Sequence, residues 1–269
     1  MNTKKHNSRA PLTVFFLSLI ILIALFIYYF FNNHNNHKPD SSLSMSVDNI
    51  IETSSIEPDY IKSAVNEYSI SSNDNTDYPD SFSLDIPYIS QYPQLPTGCE
   101  ITALAEGYNI DKEELARNYL DMKDIATKGC FVEYFWGSPW KSSGSGCFAP
   151  AIANAANAFF KANDIRHSAY IMSYQPPEML YVQLAMGHPV IVWTCFDYNV
   201  TEIKYNEVVL DDGTVFTWPR NEHCVALAGY DIVKRTVTLA DPTYGIVERD
   251  MDKFEDYYKR YYYQAVVIE

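Results

Sequence analysis

A single cysteine opens a segment of helix-forming composition, Thr97-Gly-Cys99-Glu-Ile-Thr-Ala-Leu-Ala105, behind the Pro-rich approach Gln91-Tyr-Pro-Gln-Leu-Pro96. A thiol at a helix start feels the positive end of the helix dipole, which favours the reactive thiolate. A small buried apolar side chain would have the same sequence signature, so other residues must decide. Three histidines lie in the C-terminal part of the chain. His167 falls between a helix and a strand, and His188 sits in a Gly-His-Pro turn where its ring would be solvated. His223 differs, because it opens an apolar strand in the run His223-Cys-Val-Ala-Leu-Ala-Gly-Tyr-Asp-Ile-Val-Lys-Arg-Thr-Val-Thr-Leu-Ala-Asp241. That run reads as an antiparallel hairpin turning near Ile232, so positions pair when their numbers sum to about 464, as 223 and 241 do. Directly opposed residues have Cβ atoms about 4.5–5.5 Å apart. A carboxylate there accepts the imidazole N–H and fixes its tautomer. A slip of one residue would put the two on opposite faces. Cys99, His223 and Asp241 thus form a candidate nucleophile, base and orienter.

Several elements must bring these residues together. Helices are expected over Cys99–Tyr108, from an Asp111 capping box to Leu120, over Pro150–Asn163 and over Pro177–Met186 up to Gly187. A long loop runs between Asp121 and Gly146. Strands are expected over Pro189–Phe196, over Glu207–Leu210 and Thr214–Trp218 around an Asp-Asp-Gly turn, over His223–Tyr230 and Val233–Ala240, at Ile246–Arg249 and at Gln264–Ile268. Helices first and an antiparallel sheet afterwards make an α+β domain.

The rest of the chain has a different character. Residues 1–11 carry Lys4, Lys5 and Arg9 without an acid, and Leu12–Phe31 is apolar except for Thr13 and Ser18. Twenty helical residues span roughly 30 Å, a bilayer core. A cleavable signal would be shorter and end in small residues. Residues 12–31 are therefore expected to be a transmembrane signal anchor, with 1–11 as a cytoplasmic tail and the bulk of the chain outside the cell. Residues 32–81 form a polar tether, with weak helical spacing between Pro58 and Tyr68. Residues 82–269 form one domain of ordinary size. A net charge of −14 argues against nucleic-acid partners. No Cys-x-x-Cys or His-x-x-x-His spacing supports a four-ligand zinc site, and neither a metal nor a cofactor is expected. Of five cysteines, Cys195 reads as core, Cys224 should face the core beside His223, and Cys130 and Cys147 could bridge.

The strings Ile86-Pro-Tyr-Ile-Ser-Gln91, Thr97-Gly-Cys-Glu-Ile-Thr102, Gly146-Cys-Phe-Ala-Pro150, Asn221-Glu-His-Cys-Val-Ala-Leu-Ala-Gly-Tyr-Asp231 and Asp241-Pro-Thr-Tyr-Gly245 resemble the family-thirty-nine-like cysteine peptidases. These are bacterial members of the papain-like superfamily, related to double-glycine leader peptidases, and the resemblance covers about 84–269. It implies a papain-like fold and a peptide or protein substrate, met outside the cytoplasm if the anchor is right. Cys99 would be the nucleophile, His223 the general base and acid, and Asp241 its orienter. Gln91 would share the oxyanion hole with the Cys99 N–H, with Gln94 as a weaker competitor. The chain lacks a Walker-type phosphate loop and has a single apolar span, so double-glycine specificity does not carry over. The same triad could also serve an acyltransferase or amidase, and the fold could serve a catalytically silent binding module.

Overall fold

The structure, a computed structural model, describes residues 78–125 and 132–269. The expected anchor, nearly all of the tether with its Pro58–Tyr68 piece, and Cys130 lie outside the described residues, in which no helix is long and apolar enough to cross a membrane.

Strand β1 (Ser81–Ser83) leads to helix α1 (Cys99–Tyr108), which begins at the thiol itself with Gly98 as N-cap. Helix α2 (Lys112–Asn118) starts where expected: the Asp111 carboxylate accepts the N–H of Glu114 at 2.8 Å. The expected long loop contains two short paired strands, β2 (Met122–Lys123) and β3 (Phe135–Trp136). Helix α3 (Ala149–Ala162), with Pro150 in its first turn, precedes β4 (Ala169–Ile171), and α4 (Pro177–Ala185) precedes β5 (Val190–Cys195). β6 (Tyr205–Val209) and β7 (Val215–Pro219) form a hairpin of their own. Then follow β8 (Glu222–Asp231), β9 (Thr236–Asp241) and β10 (Gly245–Asp250), helix α5 (Met251–Arg260) and β11 (Ala265–Ile268).

The main sheet has seven strands in the order β10-β9-β8-β5-β11-β4, with β1 added to the far end of β8, and every pair in it is antiparallel. Alternate residues of the central strands face two separate cores. Ile191, Trp193, Cys224, Ala226 and Ala240 pack under α1 and α3, whereas Val190, Val192, Val225, Leu227 and Leu239 pack with α4 and α5. The layout is α+β as expected, with one correction to the order of elements. Helix α5 interrupts the sheet half in a segment, between Arg249 and Gln264, for which no element was expected, although its apolar residues recur at helical spacing. Met251, Phe254, Tyr257 and Tyr258 are its buried face, and Asp250 caps it by accepting the Lys253 N–H at 2.9 Å.

The hairpin register also departs from the expected sum of 464. The turn between β8 and β9 occupies Ile232–Arg235, so Asp231 pairs with Thr236 and Tyr230 with Val237. A β-bulge at Ala228 then shifts the ladder by one, giving Leu227 opposite Leu239 and Ala226 opposite Ala240. Without that bulge, His223 and Asp241 would point to opposite faces of the sheet. With it, Asp241 stands across from Val225, and His223 is the diagonal neighbour two residues along on the same face.

Candidate active site

Helix α1 packs against β8, and its first residue, Cys99, meets the strand at Cys224, beside His223. The backbone N–H of Cys224, the residue after His223, faces the Cys99 sulfur and favours its thiolate. His223 is 2 % exposed, and its Nε2 lies 2.9 Å from Asp241 Oδ1. The same carboxylate oxygen accepts the N–H of Thr243 at 2.8 Å and of Tyr244 at 3.2 Å. Burial alone would raise the Asp241 carboxyl, but the His223 contact and these two N–H groups outweigh it and hold it below the ordinary carboxylate range. The Phe196 ring meets the His223 imidazole edge to face, 5.1 Å between centroids.

Gln91 is buried and tied to the loop beyond Asp241. Its N–H donates to the Pro242 carbonyl at 2.9 Å, its Oε1 accepts from Thr243 Oγ1 at 3.3 Å, and its Nε2 donates to the Pro96 carbonyl at 3.0 Å. Gln94 is exposed and accepts from Lys112 Nζ at 2.9 Å, which removes it as a competitor for an inward role. The other two histidines are engaged elsewhere. His167 Nδ1 lies 2.9 Å from the Glu269 carbonyl, and His188 Nδ1 lies 2.8 Å from Gln183 Oε1. Cys195 and Cys224 are buried thiols as expected, and Cys147 is likewise buried and free rather than bridged.

Sequence reasoning missed the two carboxyl groups that flank the chemistry, Glu100 and Glu222. The Cys99 thiol donates to Glu100 Oε2 at 3.3 Å, and the N–H of Cys147 donates to Glu100 Oε1 at 2.8 Å. Glu222 Oε1 is buried without a hydrogen-bond partner among the described residues. Both acids crowd Gly146: a Cβ there would come within 2.6 Å of Glu100 Oε1 and 3.1 Å of Glu222 Oε2. Burial raises both carboxyls, and their mutual repulsion pushes Glu222 further, so the pair retains a proton near neutral pH. The expectation of a lowered thiol pKa at Cys99 is reversed here. Burial, then Glu100 and Glu222, push the thiol well above its ordinary value, and the Cys224 N–H offsets only part of this. The helix dipole loses first to burial of the sulfur and then to the two acids in the same pocket. Each acid is adjacent in sequence to a residue singled out for chemistry, and that adjacency was the available signal. The Cys99, Glu100 and Glu222 ligand atoms gather within 4.8 Å, the kind of cluster that can hold a cation, although the protons on the two carboxyls would compete with one.

A model of the Peptidase_C39 like family matches residues 83–266, which include every one of these side chains. The chain belongs to that family. The uncharacterized protein YvpB of Bacillus subtilis (strain 168) is 30% identical over 189 residues, 66% of this chain and 71% of its own length. A crystal structure of a Bacillus anthracis protein described as a C39-like peptidase superposes with a TM-score of 0.61 at 26% identity, covering 70% of this chain and 97% of that one. A double glycine motif protease from an AMS/PCAT transporter, solved with its leader peptide, reaches a TM-score of 0.35 at 16% identity over 69% of this chain and 91% of its own. Family membership and the α+β architecture, with the cysteine at a helix start and the histidine on a facing antiparallel strand, make this a papain-like cysteine peptidase fold.

Proposed function

We propose that this chain is a membrane-anchored thiol peptidase working outside the cytoplasm, with Cys99 as nucleophile, His223 as general base and acid, Asp241 as the group that orients His223, and Gln91 as an oxyanion donor. The observation that carries this reading is the buried His223 Nε2–Asp241 contact of 2.9 Å on the strand whose next peptide N–H faces the Cys99 thiol. With Nε2 committed to the carboxylate, Nδ1 is the nitrogen left to take the thiol proton. The sulfur then attacks the amide carbon, and the negative charge that develops on its oxygen falls to the free first-turn N–H of Cys99 and the second amide hydrogen of Gln91. The imidazolium returns its proton to the leaving amine, and water hydrolyses the resulting thioester through the same base. The neutral resting thiol held by Glu100 is compatible with a silent binding module too, so the test must read bond cleavage.

That test exposes the full-length chain in detergent to a peptide library and compares it with Cys99→Ala. Cleavage lost in the variant, together with an acyl or alkyl adduct at Cys99 after an electrophilic peptide is added, supports the peptidase. Transfer of the acyl group to an added amine instead of water would assign a transferase. An electrophile that never marks Cys99 would leave a binding module. The anchor is tested separately: protease added to intact cells should remove residues 82–269, and a domain protected until lysis would refute the outward orientation.

A further inference from the structure

Among the described residues, Arg249 is a cation without an anion. It lies on β10 on the same sheet face as Asp241, since Gly245 pairs with Asp241 and Arg249 pairs with Val237 in the next strand. Its guanidinium carbon sits 5.1 Å from the centroid of the Tyr198 ring and 5.9 Å from that of Tyr244. Two aromatic faces hold such a group in place by cation–π attraction and leave its N–H donors free. Its Nε is buried with no hydrogen-bond partner, and no ion pair engages it among the described residues. A buried donor left unmade costs free energy, so an unpaired one asks what it is kept for. The chain has 34 acidic side chains against 20 basic ones, so partners are not scarce. The two acids that act on the Tyr244 ring beside it are engaged elsewhere. Asp241 is bound by His223, Thr243 and Tyr244, and Asp197 Oδ1 accepts from the Asn199 N–H at 2.9 Å and its Nδ2 at 3.0 Å. Lys253 Nζ, 3.5 Å from the Tyr198 carbonyl, adds a second positive charge beside the same tyrosine.

A line of aromatic rings joins this cation to the candidate catalytic pair. Phe196 touches His223 on one side and lies 5.4 Å from Tyr244 on the other, and Tyr244 is 49 % exposed. A general acid must stand beside the amine it protonates, so the leaving half of a peptide substrate passes His223 and continues over these rings. We propose that Arg249, framed by Tyr198 and Tyr244, binds a carboxylate on the leaving-group side of the scissile amide, and so selects substrates that carry an acidic side chain or a free C-terminus there. The inference rests on the peptidase reading and names its substrate class. A planar guanidinium accepts a carboxylate through two parallel hydrogen bonds, a match that an ammonium cannot reproduce.

The experiment uses the full-length chain in detergent and internally quenched peptides with Glu or Gln at each position after the scissile bond, each made with a free or an amidated C-terminus. The wild type should cleave the carboxylate-bearing peptides with kcat/KM about ten- to hundredfold above their neutral counterparts, mostly through KM, as expected for a charge-assisted hydrogen bond. In Arg249→Ala that ratio should collapse to about one, and Arg249→Lys should restore part of it. Sensitivity to Glu→Gln assigns the subsite to a side chain, whereas sensitivity to amidation assigns it to the terminus. A wild type indifferent to both changes, or a preference that survives in Arg249→Ala, overturns the subsite. If no peptide is cleaved in a Cys99-dependent way, the peptidase reading falls instead. Calorimetric binding of the same peptides to Cys99→Ala, with and without Arg249→Ala, then decides the subsite separately: equal affinity for acidic and neutral peptides overturns it.

Discussion

At the scale of single residues, the thiol is pulled in two directions. Burial, Glu100 and Glu222 make its thiolate costly, the Cys224 N–H favours it, and the proposed base His223 would take its proton. Substitutions should therefore move Cys99 in opposite senses. His223→Ala should slow iodoacetamide labelling of Cys99 near pH 7, and Glu100→Gln should speed it by removing the larger of the two acid charges that act on the sulfur. Labelling followed by peptide mass spectrometry reads both, with the buried Cys195 as internal reference; identical rates in all three proteins would mean that neither group acts on the sulfur. In the proposed mechanism Asp241 has a different task, orienting a ring rather than carrying a proton. An Asn side-chain oxygen can accept the same imidazole N–H, as in papain-like Cys-His-Asn sets. Asp241→Asn should thus retain more turnover than Asp241→Ala, with a loss well short of the about 10⁴-fold that the comparable change costs a serine protease. Full activity in Asp241→Ala would make Asp241 only a turn residue before Pro242. Cys99, His223, Asp241 and Gln91 were singled out in sequence as candidates by type and order, and of these the structure shows the His223–Asp241 contact. Their acid neighbours were not, because an acid next to a catalytic residue reads as solvated until burial is known.

At the scale of elements, placement depends on local backbone devices more than on strand identity. The turn at Ile232–Arg235 and the bulge at Ala228 each displace the hairpin register, and only together do they leave His223 and Asp241 on one face. Sequence patterning reached the right pair through a register off by two, since a bulge adds a residue without any mark in an Ala-Leu-Ala-Gly run. The loop before α3 is the other device. Gly146 has φ +138 and closes against both acids. Gly213, in the β6–β7 turn, has φ +86 and nothing within 4 Å of its would-be Cβ. Replacing either by Ala incurs backbone strain, about 1 kcal/mol when strain acts alone. Gly146→Ala should cost more, about 3 kcal/mol, because the new methyl also collides with buried carboxylate oxygens. Urea unfolding of the two variants checks this: equal losses would show that the Glu100–Glu222 pocket yields freely, and a larger loss at Gly146 should come with altered Cys99 labelling.

At the scale of the whole molecule, the described domain buries acids that its sequence would place in water, and this sets how its stability depends on pH. Glu106 on α1 is fully buried, accepts the Ile89 N–H at 3.0 Å through Oε1, and has no partner for Oε2 among the described residues. Burial raises its carboxyl to about 8, with Asp241 adding to the rise and the Ile89 N–H opposing it. The folded chain thus holds a proton that the unfolded chain releases at about 4.5. Between those values the native state binds more protons than the unfolded one, so stability is full at the acid end and falls as pH rises toward 8. Glu100 and Glu222 are raised as well and act with the same sign. Asp241 acts with the opposite sign, since its lowered carboxyl loses its contribution only as pH drops through the ordinary carboxylate range. Stability should therefore peak near pH 5, and Glu106 alone should account for on the order of 4 kcal/mol of the fall above it. General repulsion in a chain of net charge −14 also weakens the fold as pH rises, so the slope by itself does not identify the cause. Glu106→Gln separates the two, because it keeps an acceptor for the Ile89 N–H, removes the titration and barely alters net charge. Urea midpoints at pH 5 and pH 8.5 should lie closer together in Glu106→Gln than in the wild type, with the gain appearing at pH 8.5. Parallel slopes in the two proteins would assign the whole effect to net charge and leave Glu106 without a part in it.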